Sequence, residues 1–293
     1  MYKLETREEV NHNKRQRGYG ARDKDELIAK IIELHKRGNS QVEIAKILKI
    51  SRGTILRWNK ELEFFKPRTP GEAGKLKSKV YSYNENYFDK IITPNQAYIV
   101  GFILGDGTLY DRGKSKRLVI TLAAEDKQIL YDIATELNMA EAIKFRKKSV
   151  ANEQDKYSLI INSTKMCDDL MRLGVKPQKT GKEKWINFHN HKLQWAFLRG
   201  FFDADGHVGV YGKENRTVSR VGFTGSREML LSILLFLKSQ NIGNKVNAIS
   251  KKQGCFDLRL SNKNDLIQLY NYLYKDGDIK LNRKFNKYSS LMI

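Results

Sequence analysis

The chain has 293 residues, with 54 lysines and arginines against 33 aspartates and glutamates, so its formal net charge at pH 7 is +21. This length suits one large domain and a small one, and the charge predicts a polyanionic partner. No apolar run reaches the roughly 18 residues that a membrane-spanning helix needs, and the charged N-terminus lacks the apolar stretch of a signal peptide, so we expect an intracellular protein with no membrane partner.

Residues 24–65 carry the pattern of three short helices. The first has an apolar stripe and ends at Gly38, Ser40 and Glu43 form a capping box at the start of the second, and Ser51 caps the third. This pattern is similar to the helix-turn-helix of resolvases and related site-specific DNA-binding proteins. In such a domain the first residues of the third helix reach base edges, and here these residues are Ser51, Arg52, Thr54 and Arg57. A plain three-helix bundle is the alternative.

Two basic segments flank these helices. Residues 1–23 are polar and cationic without periodicity, and they are predicted to form either an arm that contacts phosphate or a solvated tail. Residues 66–88 contain prolines, glycines and many cations, which predicts a linker between domains that follows the DNA backbone.

Two stretches of one pattern lie 99 residues apart, IVGFILGDG at 99–107 and LRGFFDADG at 198–206. Small residues recur at a spacing of four in both copies, which places them on one helix face where two backbones can approach closely. These residues are Ala97, Gly101 and Gly105 in the first copy and Ala196, Gly200 and Ala204 in the second. We therefore predict that the two helices pack against each other there. Two separate amphipathic helices with glycine caps are the alternative.

Each of these helices ends in an acid. A helix C-terminus carries the negative end of the helix dipole, so Asp106 and Asp205 lie where a carboxylate is disfavoured. If the helices pack side by side and parallel, the two carboxylates meet beside the helix-end carbonyls of Gly105 and Ala204. Such a group of oxygens favours a hard divalent cation, Mg²⁺ or Mn²⁺. The sequence therefore predicts a metal site at these four residues.

The two motifs resemble those of the LAGLIDADG homing endonucleases, in the single-chain form that carries two copies. The first copy departs from the family pattern at Leu104, where the earlier acid of the motif would stand. The resemblance covers about residues 90–293. In this family the penultimate residue of each motif is the metal-binding acid, which corresponds to Asp106 and Asp205 here.

Helix and strand patterns repeat after each motif in the order α-β-β-α-β-β-α, over residues 89–190 and again over 191–293. The predicted fold class is therefore α+β, a tandem αββαββα domain with pseudo-two-fold symmetry and antiparallel DNA-binding sheets, joined to a small all-α helix-turn-helix domain. Predicted strands include 244–250 and 143–148, and in the latter Ile143 and Phe145 alternate with basic residues. An antiparallel sheet with one basic face can bind a polyanion. The candidate DNA-contacting residues on this face are Lys144, Arg146 and Lys148 in the first repeat and Arg220, Lys245, Asn247, Lys251 and Arg259 in the second. A merely solvated sheet face is the alternative.

A lysine-bearing segment follows the last helix of each repeat, at 174–180 and 279–284. LAGLIDADG proteins place one basic residue in each segment near the active site. This resemblance implies Lys179 in the first and favours Lys284 over Lys280 in the second, as catalytic residues beside Asp106 and Asp205. Without the resemblance all three would be interpreted as surface lysines.

The resulting prediction is a site-specific homing endonuclease that breaks both strands of DNA by metal-dependent phosphodiester hydrolysis. We expect it to act as a monomer on double-stranded DNA, in the cytoplasm of a bacterial or phage-host cell or in an organelle. A non-cutting transcription regulator of the same fold and an intron RNA maturase are the alternatives. Such regulators have lost motif acids, whereas this chain has both. The sequence gives neither the DNA target nor an intron, intein or free-standing origin.

Overall fold

A computed structural model of the chain describes residues 21–69, 71–72, 74, 81, 83–150, 153–213 and 216–292. The chain divides into two compact units, residues 1–80 and residues 81–293. The predicted basic arm lies outside the described residues except at its end, because the first helix begins at Ala21. Most of residues 70–82, in the middle of the predicted linker, also lies outside them.

Residues 21–69 of the first unit form the helices α1 (Ala21–Lys36), α2 (Gln41–Ile47) and α3 (Arg52–Leu62). Their apolar sides form a small core of Ile31, Ile44, Ala45, Ile50, Ile55 and Trp58. The capping box at Ser40 is present, and Ser51 Oγ accepts the Thr54 N–H at 3.0 Å, so local side-chain chemistry sets the start of α2 and α3.

The beginning of the predicted linker is attached to this helical unit. Arg68 donates hydrogen bonds to the carbonyls of His35, Gly38 (3.4 Å) and Asn39 (3.0 Å) at the end of α1, and Phe65 stacks on His35. The His35 carbonyl belongs to the last turn of α1, whose carbonyls have no intrahelical partners, and those of Gly38 and Asn39 follow the helix. The other end of the predicted linker is also part of a folded unit, because Tyr87 and Phe88 are buried in the core of the second unit.

The second unit contains two repeats with the same order of elements. The first repeat consists of α4 (Pro94–Asp106), β1 (Gly107–Asp111), β2 (Lys116–Ala123), α5 (Lys127–Glu136), β3 (Ile143–Arg146), β4 (Lys156–Ile161) and α6 (Thr164–Leu173). The second consists of α7 (His191–Asp205), β5 (Gly206–Lys213), β6 (Arg216–Gly225), α8 (Arg227–Ser239), β7 (Ser250–Lys252), β8 (Cys255–Leu260) and α9 (Lys263–Tyr274). A further helix, α10 (Asn282–Ser289), follows the second repeat and has no counterpart in the described residues 174–190 after the first. This order confirms the predicted tandem αββαββα fold.

Each repeat forms one four-stranded antiparallel sheet, in the order β1-β2-β4-β3 and β5-β6-β8-β7. Leu118, Ile120 and Leu122 of β2 point into the core while Thr121 is exposed, as the alternation in the sequence predicts. Each sheet therefore has one buried face and one outer face.

Two predicted strands are shorter in the structure. The strand predicted at 143–148 ends at Arg146, because the Lys148 N–H donates to Asp155 Oδ1 (2.8 Å) instead of continuing the ladder. The strand predicted at 244–250 is irregular up to Ser250, because Gly243 adopts a positive φ of 72° and a turn joins the Val246 N–H to its carbonyl. Among the helices of the described part of the chain, none has the length and apolar character that a membrane crossing requires.

The helices α4 and α7 pack with their backbones in contact. A Cβ atom built on Gly101 would lie 2.0 Å from the Phe197 carbonyl oxygen, and one built on Gly200 would lie 2.0 Å from that of Tyr98. The two contacts are reciprocal, because the chain offset of 99 residues converts one into the other. Nearer the C-terminal ends, a Cβ on Gly105 would lie 2.3 Å from Ala204 Cβ.

This packing predicts a loss of stability when a single methyl group is added. Gly101→Ala and Gly200→Ala gain roughly 0.5–1 kcal/mol of helix propensity, but overpacking costs roughly 1–3 kcal/mol, so both variants should melt several degrees below the wild-type chain. Thermal unfolding followed by circular dichroism measures the effect.

Gly53→Ala is the matched control, because the new Cβ at this helical glycine would make only an ordinary van der Waals contact, 3.6 Å from Ser51 Oγ. It should be neutral or stabilising. If the motif variants behave like Gly53→Ala, the helices are not in backbone contact at these residues.

Candidate active site

The two motif acids lie together at the ends of the packed helices. Asp106 is the last residue of α4 and Asp205 the last of α7, and the following glycines begin β1 and β5. A Cβ on Gly105 would lie 3.0 Å from Asp205 Oδ2, so the second carboxylate is next to the backbone of the first motif. Asp106 is exposed and Asp205 half-buried, which leaves this pair open to solvent on one side.

One lysine reaches the end of each motif helix. Lys179 Nζ donates to the Gly105 carbonyl oxygen at 2.5 Å. Lys284 Nζ donates to the carbonyls of Phe202 (3.0 Å), Asp203 (2.7 Å) and Ala204 (3.0 Å). Gly105 and Ala204 are equivalent positions of the two motifs, so the two ammonium groups occupy equivalent places at the negative ends of the helix dipoles.

The sequence analysis favoured Lys284 over Lys280 as the active-site lysine of the second repeat. In the structure, Lys284 Nζ lies at the C-terminal end of α7. Lys284 lies in the first turn of α10 and is buried. Lys280 instead lies over the ring of Phe285, with Nζ 4.9 Å from the ring centroid.

Burial changes the pKa values of all four groups. The surrounding protein disfavours the charged form of Asp106 and raises its pKa, while Lys284 and Lys179 oppose this shift. Burial and then the neighbouring charge of Asp106 raise the pKa of Asp205 to about 6. Burial also lowers the pKa of Lys179 and of Lys284. The protein around the site therefore disfavours the charged form of each group, and the two acids and two lysines compensate each other's charge.

The donor atoms at this site fit a small hard cation. The carboxylates of Asp106 and Asp205 are oxygen ligands, and protein sites for Mg²⁺ commonly supply only one or two carboxylates, with waters and phosphate oxygens completing the shell. In the described residues, no group of three or more histidine, cysteine, aspartate or glutamate side chains is arranged to bind a metal ion by itself. The carbonyls of Gly105 and Ala204, which the sequence predicted as further ligands, accept hydrogen bonds from the two lysines.

Asp203, the earlier acid of the second motif, has different surroundings from the two metal-binding candidates Asp106 and Asp205. Asp203 is buried, and its Oδ2 accepts hydrogen bonds from the Tyr98 hydroxyl (2.7 Å) and the Leu281 N–H (2.7 Å). Burial raises the pKa of Asp203 to about 6, although both hydrogen bonds favour the carboxylate. Leu281 directly precedes α10, so this acid joins the motif helix to the segment that carries Lys284. Leu104 fills the equivalent position of the first motif and is buried among apolar residues.

A second buried acid, Glu183, was not singled out by the sequence analysis. It lies between the repeats, close enough to the site for its charge to act on Asp205 and Lys179. The sequence feature that could have drawn attention to Glu183 is its place as the only acid in the otherwise basic segment KTGKEK at 179–184.

The outer face of the first sheet carries two of the three predicted cations. Lys144 pairs with Ser158 and Arg146 with Lys156, and Ser158 in turn pairs with exposed Thr121. Directly opposite residues share a face, so these side chains lie on the outer side. Lys148 lies beyond the end of β3.

On the second sheet, Arg220 and Arg259 share the outer face, because Arg259 pairs with Gly222, two residues along β6 from Arg220. Arg220 lies over the ring of Tyr211, with its guanidinium carbon 5.3 Å from the ring centroid. Arg259 donates to the buried carboxylate of Asp257.

Asp257 organises this outer face and was also missed. Its carboxylate is bonded to Lys252 (3.2 Å) and to His207 (2.8 Å) as well as to Arg259. His207 on β5 is thus held by a buried acid.

Three other predicted DNA contacts do not lie on this face. Lys251 pairs with Phe256, which packs on the core, so the strand period of two places Lys252 and not Lys251 beside Arg259. Lys245 and Asn247 lie in the irregular segment before β7, because the turn at Gly243 replaces the predicted strand.

In the N-terminal unit, the predicted recognition residues divide by role. Arg52 and Arg57 are exposed. Ser51 Oγ caps α3 and is 2.9 Å from the Thr54 hydroxyl, so these two side chains hold each other at the start of the helix.

A comparison with known protein families finds a match in the second repeat. Residues 192–273 are similar to the family model of the LAGLIDADG-like domain. This match begins one residue into α7 and includes Asp203 and Asp205.

Two curated relatives match part of the chain. They are the alpha subunits NrdEB of ribonucleoside-diphosphate reductase from Bacillus subtilis (strain 168) and from Bacillus phage SPbeta, both 33% identical over 141 residues. The match covers 44% of this chain and only 13% of each relative. It therefore assigns no reductase chemistry to the chain.

Solved structures with some similarity include the LAGLIDADG meganuclease I-AabMI bound to uncleaved DNA, with 14% identity and a TM-score of 0.47 over 69% of this chain and 90% of that one. Another is I-SmaMI bound to an uncleaved DNA target with calcium ions, with 13% identity and a TM-score of 0.46 over 69% and 90% of the two chains. These values are too low to transfer a function.

The raised pKa of Asp205 predicts how stability depends on pH. Its pKa is about 6 in the folded chain, against an unperturbed aspartate value of about 3.9. The folded state therefore binds more protons than the unfolded state between these values, so this carboxylate lowers the free energy of unfolding as pH rises from about 4 to about 6, and the loss stays constant at higher pH. Asp205→Asn removes this loss, and in the presence of a chelator it should melt above the wild-type chain at pH 7 and close to it at pH 4.

Differential scanning fluorimetry at both pH values measures this effect, and Asp278→Asn, at an exposed aspartate, is the control that should not change. A variant of Asp205 that melts below the wild-type chain at pH 7 would show that its carboxylate is not destabilising.

Proposed function

We propose that the chain is a site-specific homing endonuclease that cuts both strands of double-stranded DNA by divalent-metal-dependent hydrolysis. The observation that carries this proposal is the paired arrangement at the ends of α4 and α7, where each repeat contributes one acid and one lysine. Two equivalent sets of groups suit a substrate with two equivalent scissile bonds, and the two strands of a DNA duplex provide them. The LAGLIDADG-like match over residues 192–273 supports the same proposal.

The residues have distinct roles in this proposal. Asp106 and Asp205 would hold Mg²⁺ or Mn²⁺, which when bound supplies Lewis-acid stabilisation of phosphate oxygens and a more acidic water. The ammonium groups of Lys179 and Lys284 neutralise the helix ends and place positive charge where the phosphate gains negative charge during hydrolysis. The low solvation of both lysines strengthens this electrostatic effect.

The outer faces of the two sheets are the proposed DNA-binding surfaces of the second unit. Lys144, Arg146, Arg220 and Arg259 lie there, and the whole chain has a net charge of +21. Phosphate contacts of such residues give affinity, whereas arginines aligned with base edges give specificity. Arg259, fixed by Asp257, and Arg220, fixed over Tyr211, have little side-chain freedom left to lose on binding.

The N-terminal unit is proposed to bind DNA through α3. Arg52 and Arg57 are exposed on this helix, as the positions that enter the major groove in helix-turn-helix proteins must be. A single unit of this kind adds contacts to a pseudo-symmetric nuclease on one flank of the target only. One chain then supplies every contact, so a monomer is sufficient.

The motif acids provide the direct test of cleavage. Asp106→Asn and Asp205→Asn should each reduce double-strand cleavage by roughly 10²-fold or more while keeping DNA affinity, and a chelator should have the same effect on the wild-type chain. The target is first found by incubating the protein with supercoiled plasmids that carry random duplex inserts and sequencing the cut ends, and cleavage is then measured in single turnover.

Asp278→Asn should cut at the wild-type rate. Full cutting by either motif variant would contradict the two-acid site, and tight, specific binding by a wild-type chain that never cuts would indicate a transcription regulator instead.

The helical unit gives a separate prediction about binding. Replacing Arg52 and Arg57 together by alanine should shorten the protected footprint on one flank and weaken binding. If both contact phosphate, the slope of log K against log salt should decrease by about 2, since each phosphate contact contributes about 0.9. Footprinting and a salt titration in the full chain measure both effects.

Lys30→Ala is the control, because Lys30 is an exposed cation on α1 that pairs with Glu26 at 2.6 Å. An unchanged footprint in the double variant would mean that α3 does not contact DNA.

A further inference from the structure

The two catalytic lysines are held by different structures. Lys284 lies in α10, whose preceding residue, Leu281, donates its N–H to Asp203 of the second motif at 2.7 Å. Lys179 lies in a turn with no helix after it, and its carbonyl accepts the Lys182 N–H at 2.7 Å. The first motif cannot hold this turn in the same way, because Leu104 has no hydrogen-bonding group at the position of Asp203.

Glu183 provides the missing carboxylate for the first repeat. It is only 6% exposed, and its Oε1 accepts the N–H of Gly181, two residues after Lys179, at 2.8 Å. Its Oε2 accepts the N–H of Ser226 at 3.1 Å, and Ser226 Oγ donates to the Glu183 carbonyl at 2.6 Å. Ser226 caps α8, so Glu183 anchors the Lys179 turn to a rigid helix of the second repeat.

The charge of Glu183 also acts on the site. Burial lowers the pKa of Lys179, and the negative charges of Asp205 and Glu183 oppose this change. Asp203 has the same relation to Lys284, where it is the first of the charges that oppose the effect of burial. Each lysine thus has one buried carboxylate behind it, which accepts a backbone N–H of the segment that carries the lysine.

We propose that Glu183 is a positioning residue of the first half-site, where it does for Lys179 what Asp203 of the second motif does for Lys284. The inference deepens the proposed nuclease function and depends on it. The inference predicts an effect on one DNA strand only. Loss of the Glu183 carboxylate frees the Lys179 turn and leaves Lys284 in place, so cleavage of one DNA strand should slow while cleavage of the other is kept.

The test is strand-specific cleavage by Glu183→Gln. On a supercoiled plasmid with the selected target, this variant should accumulate nicked circles, with one strand cut at nearly the wild-type rate. The other strand should be cut more slowly by roughly tenfold to a hundredfold, since a displacement of about 1 Å can cost on the order of 10²-fold. The slow strand should be the same as in Lys179→Met, and Asp203→Asn should slow the opposite strand.

Two control variants separate positioning from general stability. Ser226→Ala removes the cap of α8 and the hydrogen bond to the Glu183 carbonyl but keeps the backbone N–H donors to the Glu183 carboxylate, so it should lower the melting temperature and show a smaller strand bias than Glu183→Gln. Glu228→Gln, at an exposed acid that pairs with Lys184 at 3.1 Å, should cut both strands at the wild-type rate.

The conservative variant Glu183→Asp retains the charge at a shorter reach and should show the same strand bias to a smaller degree, so it decides the test if Glu183→Gln does not fold. If the wild-type chain cuts DNA, three results for the Glu183 variants would overturn the inference. They are equal slowing of both strands, no slowing of either strand, and slowing of the strand that Asp203→Asn slows. A wild-type chain that cuts no DNA would instead overturn the proposed function, and the inference with it.

Discussion

The backbone contact between α4 and α7 is the constraint on which the rest of the second unit depends. Gly101 and Gly200 each face a carbonyl of the opposite helix at a distance that leaves no room for a Cβ atom. Because both helices end five residues later, the close approach brings their C-terminal ends together. The positions of Asp106 and Asp205, and of the sheets that begin directly after them, follow from this single contact.

The meeting of two helix ends creates an electrostatic problem, and the lysines reduce it. Two carboxylates and two sets of helix-end carbonyls are all negative, and none of these groups is fully solvated. Lys179 and Lys284 donate directly to the carbonyls, so the cations stabilise the helix ends as well as the acids. The pKa of Asp205 is still raised to about 6, because burial and the charge of Asp106 outweigh the effect of the two lysines. The two neighbouring carboxylates are oxygen ligands suited to a hard divalent cation.

The parts of this structure that the sequence predicted are those with local or periodic signals. The glycine spacing of the motifs, the caps at Ser40 and Ser51 and the alternation in β2 each specify a structure within a few residues. The face of Lys251 was not predictable in this way, because it depends on the register of β7 against β8. The partners of Glu183, Asp203 and Asp257 were missed for a related reason, since each accepts a hydrogen bond from a residue more than 40 positions away.

The glycine contact and the lysine supports place different limits on how the chain can change. Glycine is already the smallest residue, so no substitution at Gly200 makes room for a side chain at Gly101, and neither position can change through compensation by the other. The carboxylates behind the lysines have no such limit. One comes from a motif helix and the other from the segment between the repeats, which shows that the same task can be met from different places in the chain. In a lineage of such proteins the crossing point of the helices would therefore be the fixed element, and the supports of the lysines would be free to drift.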